Sequence, residues 1–351
     1  MDIKFNKTPG EIIDVFTSLS IINNREADKK DLSETSFKRN EKLEKVVDSI
    51  IEAEKVNFYD FQLFFCEDVY TKDLFTFDDI WNYGSLNAYL DFFRNLETDE
   101  LRKRLAHKIN TELEKLVEKN YTLEEITKSN DSLLKYIRTK KINPAFKWEI
   151  YSILNHKDDY MQDFMDFMSD YLKVYEEIEV IRKPEIESFN AYIEEKLSRD
   201  GIEYLNQLTN NGINFKNYNT VHVTTSVFSG FLFSSSTKSN DCYIVIGSSM
   251  REGVKVVYGK DEVEKNLAVF KGVSDSTRFS IIKLLLNKDY FGLELAEAIG
   301  ISNAAISHHL TSLMMSGVVT VEKGNHKCYY SLNKEKIKES ITFLCNELEL
   351  L

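Results

Sequence analysis

Apolar residues recur every three to four positions from Glu11 to about Asn211, the spacing that lines them along one face of a helix. The pattern predicts helices almost throughout, with breaks at Asn143-Pro144 and Lys183-Pro184, where proline removes a donor and restricts its predecessor. Asp2 to Asn6 alternates instead, with Ile3 and Phe5 on one side, and reads as a short strand ended by Pro9-Gly10. Asn23 to Asn40 is polar and charged and is expected to be a loop. After Asn210-Asn211-Gly212 the period falls to two: Val221, Val223, Thr225 and Val227, then Tyr243, Val245 and Gly247, then Val254, Val256 and Tyr258. These runs predict an antiparallel meander of three or four strands, packed on the preceding helices, with the N-terminal strand adding to its edge.

The last quarter changes period again. Asp261 to Lys271 is predicted helical with Val263, Leu267 and Phe270 inward, and Asp275 is placed to cap a second helix that turns Ile281, Leu284 and Leu285 to the core. Leu295, Ala296 and Ile299 mark one face of a short helix that Gly300 stops. Ser302 can cap the next, which faces Ile306, Leu310, Leu313 and Met314 inward and Asn303, Ala304, Ser307, His308 and Thr311 outward. Two short helices joined by a glycine turn, the second with small hydrogen-bonding residues outward, make a helix-turn-helix. Beyond Gly317, Val319 and Val321 alternate, Lys323 to Lys327 turns, and Cys328 to Leu332 returns as a hairpin. Glu335 to Leu350 closes the chain as a helix striped with Ile337, Ile341, Leu344, Cys345 and Leu348.

Over these residues the chain resembles the ArsR/SmtB-type winged-helix transcriptional regulators. The motifs that carry the likeness are FKGVSDSTRFSIIKLLL, ELAEAIGIS, SHHL and SGVVTVEKGNHKCYYSL, in that order. The resemblance implies a homodimer on double-stranded DNA with an inverted-repeat operator. Asn303, Ala304, Ser307, His308 and Thr311 would then face the duplex, joined by Lys323, His326 and Lys327 of the wing. It also implies a dimer interface on the first and last helices, here Ile337, Ile341, Leu344 and Leu348. The family's metal sites are not expected: the first helix of the motif reads Glu294-Leu295-Ala296-Glu297, without a cysteine pair, and Glu335 to Leu351 holds neither Asp nor His. His308 and His309, adjacent on a helix, diverge by about 100° and cannot chelate together.

Charge sharpens this picture. The 351-residue chain carries a net charge of −12, but Asp261 to Leu351 holds 10 basic and 12 acidic residues, so most of the excess lies outside it. No carboxylate falls between Glu297 and Glu322. The predicted reading head is clear of negative charge, while the rest would be repelled by phosphate. With 42% hydrophobic and 29% charged residues and no long apolar run, no membrane association is expected, and the start MDIKFNKTPGEII lacks the order of a signal peptide. Cys66, Cys242, Cys328 and Cys345, scattered without CxxC spacing, suit a reducing cytoplasm.

The fold class expected is α+β: a large, mostly helical domain over 1–215, a small antiparallel meander over 216–259, and a winged helix-turn-helix over 260–351. In the first domain Phe61, Phe65, Trp81, Tyr83, Met161, Phe164, Met165 and Met168 are candidates for a pocket that takes an apolar effector. The alternative is that they are that domain's core. No nucleophile–base spacing, glycine-rich cofactor loop or metal cluster is evident, so no catalytic residue and no cofactor is assigned. The function expected is a dimeric regulator with its N-terminal domain as signal input or dimer scaffold. The alternatives are an enzyme-like ligand-modifying helical domain fused to a winged helix, or a protein-docking scaffold.

Overall fold

The computed structural model describes residues 2–33, 39–58, 61, 64–65, 80–113, 122–139, 143–209, 212–235, 240–250, 262–301, 303–323 and 328–350. It is mostly helical, with two small sheets. Two compact units divide the chain: one takes residues 11–28 and 41–182, the other residues 1–10, 29–40 and 183–351.

The helical unit contains most of α1 (Thr8–Asn23), α3 (Glu41–Glu52), α4 (Leu86–Arg94), α5 (Thr98–Leu113), α6 (Leu123–Thr127), α7 (Asn130–Arg138), α8 (Pro144–Asn155) and the start of α9 (Lys157–Asp200). Local chemistry sets the starts. Ser85 and Ser129 accept backbone N–H bonds at the heads of α4 and α7, Thr122 and Glu125 cap α6 reciprocally, and Asn143 caps α8 with Pro144 as its first residue. The predicted break at Asn143-Pro144 is therefore a helix start. Phe64, Phe65, Phe93 and Phe164 are buried together, with Phe64 and Phe164 stacked at 4.8 Å between centroids. Deeper polar groups are paired: Tyr171 and Ser18 hydroxyls lie 2.6 Å apart, and Arg182 Nε donates to the Tyr175 hydroxyl at 2.9 Å with Asp14 at 3.7 Å.

Two expectations fail in this half. The polar stretch after Asn23 is not all loop, since α2 (Arg25–Ser33) occupies its start. Arg25 bonds Asp28, Glu44 and Asp48 at 2.8–2.9 Å, so its charges fix local structure rather than solvate it. Nor does Lys183-Pro184 break the chain: α9 runs through Pro184. Proline there leaves the carbonyl of Val180 without its helical donor. Val180 is 72% exposed, so water can take that place.

The second unit holds a four-stranded sheet, order β1-β2-β4-β3, built from β1 (Asp2–Phe5), β2 (Thr220–Ser226), β3 (Phe231–Ser235) and β4 (Cys242–Gly247). It is not an antiparallel meander. β1 and β2 are parallel, β2 and β4 are parallel, and only β3 runs against β4. Alternation in sequence marks a strand but not its neighbour. β2 is buried on both faces from Val223 to Ser226, as a central strand should be, and Ser226 Oγ accepts from the backbone of Phe228 and Ser229 to turn the chain away. The predicted strand Val254–Tyr258 lies outside the described residues. α10 (Ile202–Leu208) leads toward β2.

Its C-terminal part is α11 (Glu262–Val273), α12 (Ser276–Leu285), β5 (Tyr290–Phe291), α13 (Gly292–Ile299), α14 (Asn303–Met315), β6 (Val319–Lys323), β7 (Cys328–Leu332) and α15 (Lys334–Glu347). The strands form a sheet of order β5-β7-β6, with β6 and β7 an antiparallel hairpin; β5 is too short to show as alternation. Ile281, Leu285, Leu295, Ile306, Leu310, Leu313 and Val319 close one core. α11 is rotated from its expected face. Asn266 and Val269 are buried while Val263 and Leu267 are exposed; Val269 joins the core, and Asn266 accepts from the Ser340 hydroxyl of α15 at 2.8 Å.

Candidate nucleic-acid interface

The geometry of a helix-turn-helix is set residue by residue. Asp275 Oδ1 accepts from Arg278 N at 2.8 Å to start α12. Gly300, at φ 80°, takes the left-handed conformation that ends α13 and frees the chain to enter α14. Leu295 and Ala296 hold α13 to Ile306, Leu310 and Leu313 of α14. Ser302, the expected cap of α14, lies outside the described residues.

Of the outward residues read from the sequence, Asn303 and Ala304 lie in the first turn of α14. Ser307 is exposed and His308 half-buried, but Thr311 is only 7% exposed, which the outward assignment did not anticipate. Lys323 ends β6, paired with Cys328, while His326 and Lys327 lie outside the described residues. Burial first, then the electrostatic influence of Arg39 and of the neighbouring His309, push the His308 imidazole down to about 4, so it is neutral at pH 7. His309 is buried, with Nδ1 3.8 Å from Asp275, as a packed structural histidine would be. Among the described residues, no group of three or more His, Cys, Asp or Glu side chains could hold a metal ion.

The arsR family of bacterial regulatory proteins matches residues 275–321, from the α12 cap through α14 into β6. The transcriptional repressor SdpR of Bacillus subtilis (strain 168) is 38% identical over 78 residues, 22% of this chain and 87% of that protein. The chain belongs to the arsR family. The transcriptional activator HlyU of Vibrio cholerae is 30% identical over 87 residues, 24% of this chain and 81% of its own length. An arsenical resistance operon repressor of Staphylococcus aureus is 35% identical over 65 residues, 18% of this chain and 62% of the relative. All of this arsR-family likeness falls in the C-terminal region; the N-terminal region has no match.

The other two residue sets fall as follows. On α15, Ile337 packs against the domain core and Leu344 is half-buried, whereas Ile341 is 49% and Leu348 58% exposed. In the helical unit Phe61, Phe65, Met161, Phe164 and Met168 are buried, and Phe61 packs edge-on to Phe164 at 5.5 Å. Trp81 and Tyr83 are half-buried. The structure thus packs most of this set as core. Met165 and Met168 also line a cavity of about 560 Å³ between α4 and α9, with Leu90, Arg94, Leu172 and Lys173. Arg94 and Lys173 there were not picked out by the sequence reading, because isolated helix-surface cations carry no motif.

Proposed function

We propose that this chain is a dimeric transcriptional regulator that reads an inverted-repeat duplex with α14 in the major groove. Asn303, Ser307 and His308 would meet base edges, with Ala304 beside them, while Thr311, Lys323, His326 and Lys327 would serve phosphates and the adjacent minor groove. The observation that carries this reading is the arsR-family match over a helix-turn-helix whose second helix lies in a carboxylate-free stretch. The dimer is supported by Val263 and Leu267 on α11, Ile341 on α15 and Leu348 at the C-terminal cap of α15, large apolar side chains left exposed where two helices pack together. One winged helix cannot span two major grooves about 34–36 Å apart, and a two-fold pair can. The N-terminal region is proposed as the signal input, with the Met165–Met168 cavity as the place for a small effector that has an apolar body. The site of action would be the cytoplasm.

The test is selection of duplexes from a random pool by the full chain, followed by light scattering. The expected result is a palindromic site and a dimer at micromolar concentration. Absence of any enriched sequence, or a monomer at that concentration, overturns the reading.

A further inference from the structure

Part of the outward side of the recognition helix is buried. At about 100° per residue, Thr311 and Met315 lie about 140° and 180° round α14 from Ile306, the centre of its core-facing stripe. Both point away from the domain core, yet each is only 7% exposed. Whatever covers them comes from outside that core. β3 approaches within 8 Å of α14, Cα to Cα, and Arg39, of the 29–40 segment in the same unit, lies close enough to act on His308. The hairpin is held from the same unit. Val321 N donates to Gly212 O at 2.8 Å, and Ile213 bridges Val321 on the free edge of β6. Gly212 fits so closely that a Cβ there would sit 2.6 Å from Met314 Cγ and 2.8 Å from Thr209 O.

A helix with its side chains is about 10–12 Å across and the major groove about 12 Å wide, so a strand packed against the reading face leaves no room for a duplex. We propose that this structure is a self-blocked state: β3, with Arg39 near His308, occupies the face of α14 that would enter DNA, and binding requires that contact to open. The proposal rests on the DNA-reading function proposed above. Duplex and β3 compete for one face, so apparent affinity equals intrinsic affinity multiplied by the open fraction. Any signal that loosens the Gly212–Val321 clasp or the β3 contact switches the protein on without touching a base-reading residue.

The experiment uses the full chain and two variants, Gly212→Ala and Arg39→Ala, on the selected duplex. Both should bind at least about fivefold more tightly than the wild type, as expected when a closed state is disfavoured. For Arg39→Ala the sign is diagnostic, because loss of an arginine that touched phosphate would weaken binding. A second readout needs no DNA: maleimide labelling of Thr311→Cys, resolved by peptide and compared with Ser307→Cys. The Thr311→Cys thiol should label slowly in the otherwise wild-type chain and faster when Gly212→Ala is added. If it labels as fast as the Ser307→Cys thiol throughout, or if neither variant tightens operator binding, the self-block is wrong while the DNA-reading function stands. If no variant selects any duplex, the reading and the self-block fall together.

Discussion

α14 and α15 belong to one domain and violate the same rule in opposite directions. α14 carries the polar, small side chains of a reading surface, yet Thr311 on that surface is buried. α15 carries an apolar stripe, yet Ile341 and Leu348 are open to water. A polar face normally stays wet and an apolar one is normally covered, so each anomaly points to an interaction. On α15 the interaction is missing from a single chain, and a second copy would supply it. On α14 it is already present within the chain, where β3 stands in the place proposed for DNA. On the proposed reading, one face takes a second copy and the other is held within the chain.

The largest effect should come from the open face. Each Ile or Leu side chain taken out of water contributes about 1.5–3 kcal/mol, and a two-fold interface uses every residue twice. The double change Ile341→Asp and Leu344→Asp should cost about 4 kcal/mol or more, about a thousandfold in dimer dissociation. Light scattering should then show a monomer with a largely unchanged helical circular dichroism spectrum, since Ile341 is exposed and Leu344 only half-buried in the single chain. Operator binding should become too weak to follow. A double variant that remains dimeric would move the interface elsewhere and undo the reading of α15 given above.

A smaller effect is expected on the reading face. Ser307 is exposed while His308 and Thr311 are not fully so, which makes Ser307→Ala the cleaner probe of the three. Together with His308→Ala it should lose about 1–3 kcal/mol of specific binding, the range of one good base contact. His308→Ala alone should lose less, because trimming a half-buried side chain also loosens the closed contact. Fluorescence anisotropy on matched and scrambled duplexes measures both. Equal binding of the double variant and wild type to the matched duplex would rule out this face as the reader.

The contrast also explains what the sequence could and could not reveal. Apolar period, Asp275 and Gly300 are local signals, and each predicted feature around them is present: the cap, the left-handed stop, and the inward stripe of Ile306, Leu310, Leu313 and Met314. The strand order was not legible, because β2 joins β4 rather than β3 through pairing that alternation does not encode. Nor was the burial of Thr311, since the strand that approaches α14 lies some 75 positions earlier in the chain. The rotation of α11 goes with the burial of Val269 in the core and a hydrogen bond from Ser340 to Asn266, a tertiary pairing that helical period does not encode. In the helical unit the aromatic–Met set was recognisable as a cluster, but core and pocket share one composition.

The finest test of the contrast is titration, because only the covered face has a reason to respond to acid. His308 meets Arg39 from the 29–40 segment and His309 on its own helix, where His309 faces Asp275; β3, with the sequence FLFSS, brings no ionisable group. Burial first, then Arg39 and His309, oppose protonation and hold His308 at about 4 while the contact is closed. On opening, the imidazole returns toward the ordinary value of about 6.5. The folded-contact value is the lower one, so the open form binds the proton and the closed form does not. Closure is therefore complete above about pH 6.5 and weakens as pH falls toward 4. The labelling rate of Thr311→Cys, taken relative to Ser307→Cys to cancel thiol chemistry, should rise severalfold between pH 7 and about 5.5, less than the tenfold per unit of an ideal single proton because His308 keeps some solvent. Adding His308→Asn should flatten the profile. The same rise in the His308→Asn background would assign the response to another group and leave His308 a bystander at the contact.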